Sequence, residues 1–511
     1  METETEFLSR LGLEGNPFLH WDADQEDRLP DYFVPPPYFA SVVGDPAHPA
    51  STVVFAPRGG GKSAQRRIVE SSCDPDRVLC VTHDTFPFSA WKRPNEIRLD
   101  DHLCKIIRDV LVAIIARLAT VEGLRDRLSP AERASLQMIA TLYLEDVTRV
   151  ELQSSLNALK NLSQKAVEFY NRLSWAYNTL GRSALQAVGM PAPTLPDLKD
   201  MGQEPQRNPV ADVQALGHLA SAVGLDAVYV LVDKVDETAS TSNDAAAAYA
   251  LVAPLLQDLR ILSLRPFCFK FFLPDTLSEH HAEKARPDRV QQFALRWSPV
   301  EVSEMLSRRL AAYSGGRLTS LSQILEDNPS LRWFVDHYLI RFAEGSPRDM
   351  VRILNRILAE QMRWGPRSRC LTTVPVLQGI DSFCAERARE VVSPSILSEL
   401  RRMNRVDFTI SETSGDVFKV SSQAARAKIQ NWERAAAVRR LPDKSGARRP
   451  AHHYGVADIR VARQMCPDGS LLEFMARKVL TCARCDATLL RDWDEESEQI
   501  CSCGERVRRP Q

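Results

Sequence analysis

Residues 52–70, TVVFAPRGGGKSAQRRIVE, constrain what this chain can fold into more than any other stretch. An apolar run (Val53, Val54, Phe55) enters the loop APRGGGKS, and a segment of helical character leaves it. Strand, glycine-rich loop and helix in that order make a phosphate-binding P-loop. Gly59, Gly60 and Gly61 let the backbone curl so that successive N–H groups face phosphate oxygens. The helix start adds the positive end of its dipole. Lys62 can reach the β- and γ-phosphates of ATP, and Ser63 can place its hydroxyl on Mg2+. The candidate nucleotide-binding set is therefore Arg58, Gly59, Gly60, Gly61, Lys62 and Ser63. Ala56 replaces the first glycine of G-x-x-x-x-G-K-[ST], and alanine is small enough to pass there. A chance glycine-rich turn is the bland alternative, which the flanking strand and helix disfavour.

A chain of 511 residues is too long for one core, and about two to four domains are expected. With 44% apolar and 26% charged residues it reads as globular rather than disordered. No apolar run approaches the ~20 residues of a membrane span. The start, METETEFLSR, is acidic and lacks a signal-peptide apolar region. The expectation is a cytoplasmic protein with no membrane partner.

Residues 1–50 hold Pro17, Pro30, Pro35, Pro36 and Pro37, which forbid long helices. This segment is expected to wrap the front of the nucleotide domain. A second strand is expected at residues 77–82, RVLCVT. An amphipathic helix follows, with Leu103, Ile106, Ile107, Val110, Leu111, Ile114 and Leu118 at helical spacing. From about 119 to 209 strand signals are absent and helical spacing persists, which reads as a helical insertion closed by a proline-rich linker. It is either a partner surface or a spacer packed on the core.

Strand signals return at residues 227–232, AVYVLV, followed by Asp233-Lys234-Val235-Asp236-Glu237. A buried strand ending in acids supplies the second half of a P-loop site. Asp233 would hold Mg2+ through water, close to Ser63, and a second acid, Asp236 or Glu237, would polarise the attacking water. A further buried strand, FCFKFFL at 267–273, ends at Pro274-Asp275. Asp275 or Thr276 either senses the γ-phosphate there or merely turns the chain. Residues 289–297 make another strand candidate. Then Ser298, Pro299 and Glu301 spell a helix start with a capping box. Gly345-Ser346-Pro347 breaks one helix and starts the next, setting Arg348 in a first turn able to face a nucleotide.

A P-loop, a strand ending in Asp, a helical lid and a G-x-P-R helix start resemble the AAA+ and STAND ATPases. The likeness extends to origin-recognition-type ATPases and to bacterial ATP-binding proteins that begin with an Asn-Pro-Phe segment, here Asn16-Pro17-Phe18. It covers roughly residues 10–365. The resemblance implies that Arg348 reads the γ-phosphate. In that group the second motif often carries Asp-Glu or Asp-Asp directly after the strand. Here Lys234 follows Asp233 and the acids come later, which leaves the catalytic base open between Asp236 and Glu237. Slow turnover, with ATP acting as a switch, fits this departure.

Residues from about 393 to 463 read as a winged helix: a helix SPSILSELRRM, a strand at 407–410, a helix around VSSQAARAKIQNWERA, and strands at 437–441 and 453–457 flanking a polar wing. Origin-recognition ATPases also end in a winged helix. From 420 to 463 there are ten Lys/Arg and three acids, a local excess that suits a polyanion. Arg426, Lys428, Lys444, Arg448 and Arg449 would meet DNA phosphates. The alternative is a solvated face, or a winged helix used for protein contact.

Of eleven cysteines, seven are scattered and four cluster near the C-terminus. Cys482 and Cys485 are spaced C-x-x-C, and Cys501 and Cys503 follow as C-x-C before Gly504. Two cysteine pairs on two turns give the thiolate set that Zn2+ prefers, and four thiolates leave no open position for catalysis. Cys466, His452 and His453 are reserve ligands.

The expected architecture is an α/β P-loop NTPase core with a parallel sheet, AAA+/STAND-like, bearing a helical insertion and a helical lid, then a winged helix and a small zinc ribbon. The expected divisions are a wrapping segment at 1–50, the core at 51–300, the insertion at about 119–209, the lid at 301–378, the winged helix at 379–465 and the ribbon at 466–511. The expected function is an ATP-driven switch or motor, with ATPase character, that acts on or is recruited to double-stranded DNA. Replication, transposition and phage defence all use such parts. A homo-oligomer and a partner effector protein are compatible with it. The alternative is an ATP-controlled signalling or assembly scaffold whose C-terminal domains bind protein.

Overall fold

A computed structural model of the chain describes residues 3–90, 92–144, 147–159, 165, 168–170, 180–190, 207–242, 244–284, 289–441, 452–492 and 498–508. It divides into two compact units, Pro35–Arg296 and Met1–Val34 together with Trp297–Gln511. Among the described residues, no helix is long and apolar enough to cross a membrane.

The unit Pro35–Arg296 is built on a five-stranded sheet of β1 (Thr52–Ala56), β2 (Val78–His83), β3 (Ala227–Val232), β4 (Phe267–Pro274) and β5 (Gln291–Ala294), in the order β2-β3-β4-β1-β5. Every pairing is parallel. Each residue of β1, β3 and β4 is buried, Thr52 and Lys270 included, as these largely apolar strands must be in a sheet covered on both faces. At one edge, β5 is short and carries Gln291 and Gln292, and its residues are exposed or half-buried. All carboxyl ends point one way, and the P-loop and Asp233 both leave the sheet there. Such a rim is where ligands of parallel sheets sit.

The helix Leu99–Thr120 is buried on nearly all sides. The sequence marks one apolar stripe, yet Val112, Ala113, Ile115 and Ala116 are buried as well. The reason is that helices Pro130–Leu144 and Pro209–Ala222 pack on it as well as the sheet. The described residues between β2 and β3 contain no strand, in keeping with a helical insertion. Its proline-rich linker lies mostly outside the described residues.

In the other unit, residues 3–34 fold against the helix Pro299–Ala312. The expectation had all of residues 1–50 on the nucleotide domain, and residues 35–50 belong to that unit. The physical reason for the difference is Arg309, a buried cation whose guanidinium donates to the Tyr32 hydroxyl (2.5 Å), to the carbonyls of His20 (2.9 Å) and Pro17, and to Glu26. Arg28 also donates to the Ala312 carbonyl at 2.6 Å. The helix Pro299–Ala312 starts as expected, with Ser298 and Glu301 forming a capping box and Pro299 in the first turn.

Two expected boundaries fall inside helices. The 378/379 division cuts the helix Thr373–Val391, and 300/301 cuts Pro299–Ala312. Thr373–Val391 packs against both Pro347–Trp364 and Ile459–Met465. Arg460 and Arg463 lock that packing: Arg460 reaches Asp349 (2.8 Å) and Asp458 (2.5 Å), and Arg463 reaches Asp381 (2.7 Å). Between 393 and 463 the helices and strands appear in the expected order. Helix Pro394–Met403 is followed by β6 (Asp407–Thr409), helix Ser422–Arg434, β7 (Val438–Leu441) and β8 (His453–Val456). These strands form an antiparallel sheet in the order β6-β8-β7. Trp432 is fully buried at its heart and donates to Glu399 at 2.8 Å. The chain ends in two hairpins, β9 (Val479–Thr481) with β10 (Thr488–Leu490) and β11 (Glu498–Ile500) with β12 (Arg506–Arg508).

Candidate functional site

The strand β1 delivers the chain into the loop at Pro57, and the helix Lys62–Ser72 leaves it. Gly59 (φ 77°) and Gly61 (φ 95°) lie in the left-handed region that favours glycine. Gly60 lies so close to Pro57 that a Cβ would meet its carbonyl oxygen at 2.9 Å. Lys62 folds back over the loop, with Nζ 3.2 Å from the Ala56 carbonyl and 3.3 Å from that of Pro57. An ammonium held at the mouth of a curled loop suits a polyphosphate. Arg58 is exposed beside it.

Asp233 follows β3 and is buried. Its Oδ1 accepts the Lys234 N–H at 2.9 Å, and its carboxylate also receives the Ser63 hydroxyl. Ser63 and Asp233 therefore converge, as a nucleotide-bound Mg2+ requires. Burial pushes the Asp233 carboxyl above the usual carboxylate range, opposed by the Arg66 guanidinium and by these hydrogen bonds. Arg66 Nε lies 3.2 Å from Asp233 Oδ2. Its other end meets Glu70 at 3.4 Å, and Glu70 in turn accepts the Thr82 hydroxyl at 3.1 Å. The sequence reading passed over Arg66, because a charged residue on a helix reads as solvated unless its partner is known.

Lys234 takes a left-handed conformation (φ 58°) and turns the chain sharply after Asp233. Asp236 is half-buried and Glu237 exposed in the turn that follows. Asp275 and Thr276 form a short turn after β4, and both are exposed. Gln65 donates to the Tyr38 hydroxyl at 3.2 Å, and Tyr38 stacks on Phe293 with centroids 4.7 Å apart. That aromatic pair beside the loop helix was also missed, since its halves lie far apart in sequence. Arg348 belongs to the other unit, in the first turn of Pro347–Trp364. Ser346 caps that helix, its Oγ accepting the Asp349 N–H at 3.2 Å.

Beside Asp233, β2 ends at His83, whose carbonyl accepts the Asp233 N–H at 3.3 Å. His83 Nε2 lies 3.0 Å from His102 Nδ1, and His102 Nε2 lies 2.8 Å from the Leu251 carbonyl. A carbonyl can only accept, so His102 carries its proton on Nε2 and His83 donates to His102. Burial holds both imidazoles neutral, with His102 lowered to about 4 and His83 well below its ordinary value.

The four clustered cysteines sit on the two hairpin turns. Cys482 Sγ is 3.6 Å from Cys503 Sγ and Cys485 Sγ is 3.4 Å from Cys501 Sγ, and all four lie within 4.8 Å. Four thiolates around one zinc at ~2.3 Å would stand about 3.8 Å apart, so the set fits a tetrahedral ion. Gly504 (φ 86°) permits the tight C-x-C turn. Of the reserve ligands, His453 pairs with Asp407 at 2.9 Å and Cys466 caps a helix, so neither joins the group.

On the helix Ser422–Arg434, Arg426 is exposed. Lys428 is half-buried, paired with Glu399 and set over the Phe418 ring at 5.0 Å. Arg439 and Arg440 are exposed on β7. Lys444, Arg448 and Arg449 lie outside the described residues. Arg460 and Arg463, which contributed to the basic excess, are internal.

No family model matches the sequence, and no curated protein matches it. Among solved structures the chain is similar to the Aeropyrum pernix ORC1 protein in complex with DNA, at a TM-score of 0.35 and 12% identity, over 89% of this chain and 98% of that one. A likeness of that strength carries no argument.

Proposed function

We propose that this chain is a cytoplasmic ATP-binding switch or motor, AAA+/STAND-like in type, that hydrolyses ATP slowly and acts on or is recruited to DNA. The observation that carries the reading is the loop at the carboxyl end of β1, with Lys62 over it and Ser63 hydrogen-bonded to Asp233. Lys62 would bind the β- and γ-phosphates, and the loop glycines would bring the backbone against them. Ser63 and Asp233 would hold Mg2+, which supplies charge neutralisation on the phosphates. Asp236 or Glu237 would orient the attacking water, and Arg348 would report the γ-phosphate. Single-turnover hydrolysis by Asp236→Asn and Glu237→Gln tests the choice of base; normal rates in both would remove both candidates.

In the same proposal the winged helix meets DNA through Arg426, Lys428, Lys444, Arg448 and Arg449, and the four cysteines hold one structural Zn2+. The process would be of the replication, transposition or phage-defence kind, with room for a homo-oligomer and a partner effector protein. A second reading, an ATP-controlled assembly scaffold with protein-binding C-terminal domains, is favoured by the engagement of Lys428 with Glu399. Affinity for a DNA duplex across a salt series separates the two. Phosphate contacts give a steep linear fall of log affinity with log salt, and a flat or absent response favours the scaffold.

A further inference from the structure

Arg66 stands four residues after the loop lysine, on the first turns of the helix Lys62–Ser72, and is fully buried. Its guanidinium is held from two directions. Nε faces Asp233 Oδ2 at 3.2 Å, and Nη1 faces Glu70 Oε2 at 3.4 Å. Glu70 is itself fixed by the Thr82 hydroxyl on β2 at 3.1 Å. The side chains of Arg66 and Asp233 are 0% and 1% exposed, so water and salt screen the pair little. Arginine keeps its proton at any working pH. The acid expected to face a metal therefore carries a permanent cation on one oxygen and a backbone N–H on the other.

This arrangement changes what a divalent ion can contribute. An aspartate near nucleotide phosphates adds negative charge to a site that is already strongly negative once ATP enters. A metal ordinarily cancels both. Here Arg66 offsets the Asp233 charge before any ligand arrives, so less of the site's negative charge is left for a metal to cancel. Glu70 shares the guanidinium through Nη1 rather than the Nε that faces Asp233. It anchors Arg66 without freeing the Asp233 carboxylate.

We propose that Arg66 is a resident counter-cation of the nucleotide site, so that ATP binding by this chain persists when divalent cations are removed. The proposal rests on the reading of residues 56–63 as an ATP-binding loop. Arg66 is a positioning residue in this scheme: it acts on Asp233, not on the nucleotide.

Equilibrium binding of labelled ATP to the full chain, in excess Mg2+ and in excess EDTA, tests it. Wild type should bind with affinities within about threefold of each other in the two conditions, and Arg66→Gln should weaken about tenfold or more in EDTA. Arg66→Lys, which keeps the charge, should restore much of the metal-independent binding. A wild-type loss of about tenfold or more in EDTA overturns the proposal while leaving the ATP loop intact. A folded Arg66→Gln that is indifferent to EDTA overturns it equally. Should that variant fail to fold, the wild-type comparison still decides. No binding by wild type in either condition removes the loop reading and this proposal together, an outcome distinct from metal-dependent binding.

Discussion

Acid should loosen the nucleotide unit through the His83–His102 pair. Both imidazoles are buried and neutral in the folded chain, one donating to the other and the second donating to the Leu251 carbonyl. Phe86 and Phe88 pack edge-on against these rings; burial outweighs the Asp101 carboxylate, which favours a proton on His102, and Lys105 opposes one on His83. The folded values lie below the ordinary 6.5, with His102 at about 4. Below the unfolded value the unfolded chain binds more protons, so the stability supplied by neutrality is complete above about pH 6.5 and lost as pH falls through that value. Between pH 7 and pH 5 each histidine should cost about 2 kcal/mol, and the pair about 4 kcal/mol. Amide hydrogen exchange in the helix Leu99–Thr120, corrected for intrinsic rates, should then show protection falling on the order of a thousandfold over that interval. The double variant His83→Phe/His102→Phe replaces both partners by rings of similar shape and should flatten the slope. The carboxyls of Asp109 and Asp233 titrate in both proteins, so the difference between the two isolates the pair. Wild-type protection unchanged at pH 5, or the same acid slope in the double variant, would refute the reasoning.

Three further outcomes are expected. Arg460→Ala should destabilise the unit containing Trp297–Gln511 by about 3 kcal/mol, since it strands Asp458 while Asp349 keeps Arg352 and Arg387; urea unfolding of the full chain followed by near-UV circular dichroism reads this. Chelating zinc should expose residues from about 480 onward to protease while ATP binding continues. The reason is that Cys482 and Cys501 are themselves half of the small core they form with Leu489 and Val507; a metal-free preparation with a resistant tail would contradict it. Arg426→Ala should lower the salt slope of DNA binding by about one, and Lys428→Ala by less, because Glu399 already engages Lys428; equal losses would show that Lys428 leaves Glu399 for phosphate.

The sheet was legible because β1, β3 and β4 are almost wholly apolar, broken only by Thr52 and Lys270, which a half-solvated strand would not be. Ser298, Pro299 and Glu301 announced a helix start because capping is a local matter, settled within four residues. Each cysteine pair is likewise a local signal, and it is the shared zinc chemistry that joins Cys482 and Cys485 to Cys501 and Cys503 across the two hairpins. The misreadings share another cause: contacts between residues distant in sequence. Arg309 draws residues 3–34 to the helix Pro299–Ala312, and nothing in the prolines of that segment marks the destination. The helix Thr373–Val391 runs through an expected boundary because it serves neighbours on both sides. Arg460 and Arg463 counted toward a basic surface until Asp349, Asp458 and Asp381 were found opposite them. Arg66 and His83 looked unremarkable for the same reason. Charge and polarity are visible in a sequence; the partners that cancel them are not.

The central claim is that the loop Pro57–Gly61 with Lys62 and Ser63 binds ATP. Equilibrium titration of labelled ATP into the full chain and into Lys62→Ala tests it most directly. The account predicts saturable binding by wild type and loss of binding by the variant, because Lys62 is the cation folded over the loop. Equal affinity in the two proteins, or no binding by the folded wild type, would contradict it.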